Sequence, residues 1–446
     1  MKPLIFLLTL SLLGCSTEGQ IKNAPLDGGQ EAVLTDGSLF SVARHLDGEG
    51  VNLFLAFSGG GTRASALAYG VLEELRDTKV LVRGRSVRLL DEVDFISAVS
   101  GGSFTAAYYG LYRDRIFTDY KEEMLTRDLS DRILQSVFNP LRWFSTLGRT
   151  DLAENIYAES GFGNATFEDM QRNGPPAIAI NATDLSQGIR FTFLQDYFNL
   201  ICSDLSTFPV ARAVTASSAV PILFDPVVIK NYSTCSPKDI DDYIQPRAEK
   251  RSVTLRDAAH AALSYKDKQE RPFVHLVDGG ISDNLGLRLL LDTVEFAGGM
   301  NEYLAIAHNG DSYIPARHFA IIVVNASVKE DSDIDKVSSP PTIIKTINSV
   351  TDAQLHLYNN ETLELTGSLL KEWSKAVSTP DRPVKGHLIV VELKSRTSSS
   401  LGKRLNAIPT TLGLPKNEVE LLINTGRELL RKNSQFRELV GDLSEI

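Results

Sequence analysis

A chain of 446 residues has enough material for one large core or two domains. Hydrophobic residues at 43% and charged residues at 23% are the balance of an ordinary globular protein. The formal net charge of −10, with no long Lys/Arg run, argues against nucleic acid as a partner, and bulk charge would not draw the chain to an anionic membrane.

In chain order, Met1-Lys2 is a short basic start and Leu4 to Leu13 an apolar run that closes on Leu12-Leu13-Gly14-Cys15. As a helix that run reaches only about 15 Å, against about 30 Å of bilayer hydrocarbon, so residues 1–14 read as a signal-peptide core. Gly14-Cys15 resembles the lipobox of bacterial lipoproteins. The resemblance implies cleavage before Cys15 and acylation of its sulfur and of the new amino end, and two or more chains anchor stably. Ser16, in place of an Asp, favours the outer membrane by the same resemblance, facing the periplasm. The alternative is an ordinary secretory signal with an incidental Cys. Residues 15–38 are polar and aperiodic, and read as a flexible tether of roughly 25 Å mean reach.

The body, 39–446, alternates strand-like and helix-like stretches. Strands are expected at Val51–Phe57, Asp94–Val99, Ala177–Thr183, Ile189–Leu194 (a hairpin arm), Pro272–Val277, Phe319–Asn325 and His387–Leu393. Helices are expected at Ala64–Arg76, Phe104–Tyr112 and Val419–Leu430. Such alternation predicts an α/β fold, a three-layer sandwich with a largely parallel central sheet, as one catalytic domain with insertions. The stretch Phe138–Phe167, with Trp143, Phe144 and Phe162, breaks the alternation and reads as a lid or acyl-chain wall, or equally as core. Lys230–Arg271 is polar and reads as a surface insertion. Cys202 and Cys235 are the two cysteines left in a mature chain, and an oxidising compartment leaves both a bridge and two free thiols open.

Three short strings carry chemistry. Ser97-Ala98-Val99-Ser100-Gly101-Gly102 lies between an expected strand and an expected helix, the context of a nucleophile elbow, with Ala98 in place of the first glycine of G-x-S-x-G. Ser58-Gly59-Gly60-Gly61-Thr62-Arg63 follows the first strand, and its glycines expose consecutive amides to a negative oxygen. A nucleotide P-loop fails there, because no Lys-Ser/Thr pair follows at the required spacing. Arg63 offers a positive charge for a phosphate head group or for loop structure. Asp278-Gly279-Gly280 ends a strand, where a carboxylate would face the ligand crevice and burial would raise its basicity. A triad through His260 or His308 remains an alternative to a Ser100–Asp278 dyad. Asp331, Asp333 and Asp335 alternate as in a calcium loop, but Lys336 stands where Gly is needed, so no metal is expected.

In this order the three strings resemble the patatin-like phospholipases, over roughly Val51 to Leu287. The block Ala216-Ser217-Ser218-Ala219-Val220-Pro221, with Phe224 and Pro226, resembles the family's helix-end block, and Ser58 to Ala64 is also similar to the cytosolic phospholipase A2 branch. The resemblance implies a serine acyl hydrolase with Ser100 as nucleophile and Asp278 as base. It implies an oxyanion hole among Gly59, Gly60, Gly61 and Gly101, substrate contact by Arg63, a lipid acyl-ester substrate and no cofactor. Ala64, where a glycine is usual, and Ala98 are its departures. Two other readings stay open: a carboxylesterase or lysophospholipase on small or single-chain esters, and an inactive envelope lipoprotein used as a binding module.

Overall fold

The computed structural model describes residues 19–26, 48, 50–127, 129, 131–132, 148–221, 223–235, 251–308, 313–328, 334–393 and 400–444. Cys15, the signal segment, residues 27–38 of the expected tether, Phe138 to Leu147 of the expected lid, and Asp331 and Asp333 lie outside these residues.

Twelve strands are described. They are β1 (Ala24–Pro25), β2 (Val51–Phe57), β3 (Lys79–Val82), β4 (Arg85–Arg88), β5 (Val93–Val99), β6 (Ala177–Asp184), β7 (Ile189–Thr192), β8 (Ser203–Asp204), β9 (Val227–Lys230), β10 (Phe273–Asp278), β11 (His318–Asn325) and β12 (Lys385–Glu392). The main sheet has the order β12-β11-β2-β5-β6-β10-β9, with β7 paired to β6. From β12 to β6 every pairing is parallel, while β10 is antiparallel to both β6 and β9. The expected three-layer α/β sandwich is therefore the observed fold, with a largely parallel sheet.

The sequence of β2 shows why the sheet lies between two helical layers. Leu53, Leu55 and Phe57 join one core cluster and Phe54 and Ala56 the other, and all seven residues of the strand are buried. On the first face lie α1 (Gly61–Asp77), α2 (Gly101–Tyr112), α3 (Arg149–Tyr157) and α4 (Val210–Ser217). The second carries α6 (Arg288–Ala297), α7 (Met300–Ala307) and part of α8 (Ile343–Val377), after the short α5 (Gly280–Asp283). Finally α9 (Lys416–Lys432) returns to the first face against α1, followed by α10 (Ser434–Ser444). Among the described residues no helix is long and apolar enough to cross a membrane.

One expectation changes here, and two open ones are decided. Residues 19–26, part of the expected tether, are docked on the body. There β1 pairs with β8, Asn23 is buried and donates to Ser203 Oγ at 3.0 Å and to the Lys230 carbonyl at 2.8 Å, and Lys22 reaches Glu154 at 2.9 Å. The segment is polar because its side chains bond to the body, and a two-residue strand leaves no period to read. Phe162, assigned to a lid or to core, is fully buried and packs on Phe104 and Tyr108. Cys202 and Cys235 are joined in a disulfide.

Candidate active site

The turn from β5 to α2 places Ser100 at φ 48° and ψ −121°, a region that residues with a Cβ rarely adopt. Its neighbours hold it there. The Ser100 N–H donates to Ser217 Oγ at 2.8 Å, and Ser217 Oγ donates to the Asn181 carbonyl at 2.6 Å. The Ser100 carbonyl accepts from Ser103 N–H at 2.9 Å and from Ser103 Oγ at 2.6 Å. Gly101 has to be glycine, since a Cβ there would stand 2.0 Å from the Gly61 carbonyl oxygen. This contact brings the elbow directly against the glycine loop that follows β2.

Ser100 Oγ donates to Asp278 Oδ2 at 2.7 Å, with no histidine between them. Both residues are buried, at 7% and 8% exposure. Burial pushes the Asp278 carboxyl up to about 6, against the opposing pull of hydrogen bonds from Gly280 N–H and Ser100 Oγ. The Gly280 N–H bond to Asp278 Oδ1, at 2.7 Å, turns the other oxygen toward the serine. Asp278 does not arrive by the route its place in the sequence suggests. Because β10 runs antiparallel to β6, it descends past the carboxyl ends of the parallel strands and stops with Asp278 opposite Ala182, one step beyond the Val99–Asn181 pair. The rule that ligand crevices lie at carboxyl strand ends holds for β2, β5 and β6, and β10 meets that edge from above. Tyr157 lies close by. Burial, aided by the Asp278 charge, pushes its phenol well above its usual range, so it stays a neutral hydroxyl.

The glycine loop divides into two functions. Gly60 (φ +135°) and Gly61 (φ +59°) adopt the left-handed region, and neither N–H donates to any group among the described residues. The Gly101 N–H at the start of α2 is likewise unbonded there. Among the described residues three amides beside Ser100 are thus without an acceptor, two of them opening helices whose N-terminal ends favour negative charge. Gly59 differs from its expected role. Its N–H donates to the Asn284 carbonyl at 3.0 Å, so it has no donor left for an oxyanion. A Cβ on Gly59 would stand 2.7 Å from Asn284 Oδ1 and 3.3 Å from Ser100 Cβ, so its contribution is space.

Arg63 takes the loop-structure reading and not the expected substrate contact. It is 4% exposed, and its guanidinium donates to the Ala326 carbonyl at 3.0 Å, the Ile408 carbonyl at 2.6 Å and Thr410 Oγ1 at 2.8 Å. A group so enclosed clamps α1 to the segment before α9 and presents no charge to a substrate head group.

The three strings read as catalytic left out Ser217, Asn181 and Asn284. Asn284 joins three parts: its carbonyl holds Gly59, its Nδ2 donates to Ser327 Oγ at 3.1 Å, and Asn359 of α8 donates to the same hydroxyl at 3.1 Å. Ser217 lies inside the helix-end block quoted above, which was the available signal; nothing local marks Asn181 or Asn284.

These features define a three-layer α/β protein with a serine held in a nucleophile elbow against a carboxylate. Family models match residues 55–291 to the patatin-like phospholipases. The chain belongs to that family. No curated protein matches it. Among solved structures it is similar to human GIVD cytosolic phospholipase A2, with a TM-score of 0.49 at 11% identity over 88% of this chain and 63% of that one. It is also similar to the same enzyme in complex with methyl gamma-linolenyl fluorophosphonate, with a TM-score of 0.39 at 12% identity over 91% of this chain and 62% of that one. The chain thus spans less than two thirds of the length of these structures.

Proposed function

We propose that the protein is a serine acyl hydrolase acting on lipid acyl esters, with Ser100 as nucleophile and Asp278 as its only general base. The observation that carries this reading is the direct 2.7 Å bond from Ser100 Oγ to a carboxyl whose basicity burial has raised to about 6. Asp278 Oδ2 takes the Ser100 proton as Oγ attacks the ester carbonyl carbon. The amides of Gly60, Gly61 and Gly101 receive the developing oxyanion. Collapse of the tetrahedral intermediate breaks the bond to the alkoxy group, which leaves with the proton from Asp278. A water then gives its proton to Asp278 and attacks the acyl-enzyme, and Ser100 recovers its proton as the fatty acid leaves.

The comparison of wild type with Ser100→Ala on nitrophenyl esters of increasing chain length and on phospholipid vesicles tests this. Activity that rises with chain length and vanishes in the variant is the expected result. An inactive wild type that no fluorophosphonate probe labels would sink the reading. We further infer that Cys15 carries lipid and holds the protein on an envelope membrane facing the periplasm. The lipobox-like Gly14-Cys15 string supports this. Cys15→Ser is expected to move the protein from the membrane fraction to the soluble fraction, and an unchanged distribution would count against the anchor.

A further inference from the structure

Far from Ser100, at the amino-terminal edge of the sheet, two buried imidazoles face each other. His318 opens β11 and pairs with Val51, the first residue of β2, while the catalytic loop follows the last residue of β2. Seven residues of strand put about 20 Å between the two ends. His387 lies on the neighbouring β12, two positions beyond Lys385, the residue that pairs with His318. An offset of two keeps both imidazoles on one face of the sheet, the face that α10 covers. Asp442, on the last turns of α10, supplies a carboxylate to the same point.

The two imidazole nitrogens stand at a separation that one cation can bridge, with a carboxylate close by. His318 Nδ1 and His387 Nε2 are 3.2 Å apart. Two metal–nitrogen bonds of about 2.0–2.1 Å at a tetrahedral angle hold their nitrogens about 3.3 Å apart. Asp442 Oδ2 lies 4.0 Å from His318 Nδ1, and one ligand atom from each of the three residues falls within 4.8 Å of the others. We propose that His318, His387 and Asp442 bind a zinc ion, with water in the fourth position, and that the ion fastens α10 to β11 and β12. Two imidazole nitrogens and one carboxylate oxygen suit a borderline cation of this kind and not calcium or magnesium, which take oxygen ligands.

The simpler account is an imidazole pair sharing one hydrogen bond beside a Lys385–Asp442 ion pair at 2.7 Å. Burying two imidazoles for one shared bond costs free energy that an apolar pair would not. Lys385 is 55% exposed and Asp442 26%, so the lysine can swing into solvent and free the carboxylate to close the remaining gap. Lys385 therefore acts as a competitor for the zinc position, which gives the proposal a signature that simple packing lacks.

The test is calorimetric titration of EDTA-stripped, full-length protein with zinc chloride, alongside thermal melts and the visible spectrum of the cobalt-substituted form. One zinc per chain, a raised Tm and tetrahedral cobalt bands are expected. Asp442→Ala should weaken zinc binding about tenfold or more. Lys385→Ala should tighten it, and His387→Ala should abolish it. If His387→Ala fails to fold, the two partly exposed positions carry the test. Ester hydrolysis should be the same in Lys385→Ala as in wild type. Failure to take up zinc, or uptake indifferent to both Asp442→Ala and Lys385→Ala, would overturn the proposal whatever the activity at Ser100.

Discussion

Ser100 and Asp278 meet where water is scarce, and that scarcity sets the chemistry of the carboxylate. Its pKa rises from 3.8 to about 6 in the folded protein. Between those two values the native state binds more protons than the unfolded chain, so this residue's contribution to stability is intact below about pH 4 and is lost as pH rises through about 6. The shift amounts to about 3 kcal/mol against the folded state at pH 7. For catalysis the sign is the opposite, since only the ionised carboxylate accepts a proton. We expect kcat/KM to fall about tenfold per pH unit below pH 6. Asp278→Asn keeps size, can still accept from the Gly280 N–H and can donate its amide N–H to Ser100 Oγ, but removes the charge. It should lower kcat by about 10²–10⁴ while raising Tm at pH 7.5, with the Tm gain shrinking toward pH 4. An Asp278→Asn protein that melts below wild type at pH 7.5 would contradict this account of the burial.

At the scale of elements, the site depends on how α1, α2 and the segment before α9 are pressed together. Arg63 is central to that contact, with its guanidinium bonded to the Ala326 and Ile408 carbonyls and to Thr410. Hydrogen bonds from a charged group are each worth about 1.5–3 kcal/mol. Arg63→Met should therefore cost about 3 kcal/mol or more in urea unfolding. Activity on phospholipid and on phosphate-free esters should fall by the same factor. A loss confined to phosphate-bearing substrates would restore Arg63 as a head-group ligand. Asn284 is the other joint, and through Ser327 and Asn359 it couples the catalytic glycine loop to α8.

Across the whole molecule, the Cys202–Cys235 bond closes a loop over a sequence separation of 33 residues beside the docked 19–26 segment. Loop-closure entropy for such a span is worth about 3–4 kcal/mol. Removing both cysteines should lower Tm by several degrees. The lowering should be about the same in wild type treated with reductant, and absence of any change in either would show that the loop is held by packing alone. Docking of 19–26 beside this loop also means that an anchor at Cys15 would hold the body on a shorter leash than a free 24-residue tether.

The sequence by itself determined the layered α/β architecture and the family. Runs such as Val51–Phe57 are apolar on both faces because both faces are covered, and Ser100 and Asp278 stand in strings whose small neighbours allow close approach. Strand and helix bounds shifted by a few residues at most, as with Val93–Val99 against an expected start at Asp94. The 35-residue α8 escaped notice, because so much of its surface is exposed that no apolar stripe marks it. Only the tertiary structure decided which groups are left free to act. Gly59 and Arg63 have the right chemistry for an oxyanion and a head group, yet Asn284, Ala326, Ile408 and Thr410 already occupy their donors. Hydrogen-bond capacity is local and readable, but whether it is satisfied depends on residues hundreds of positions away.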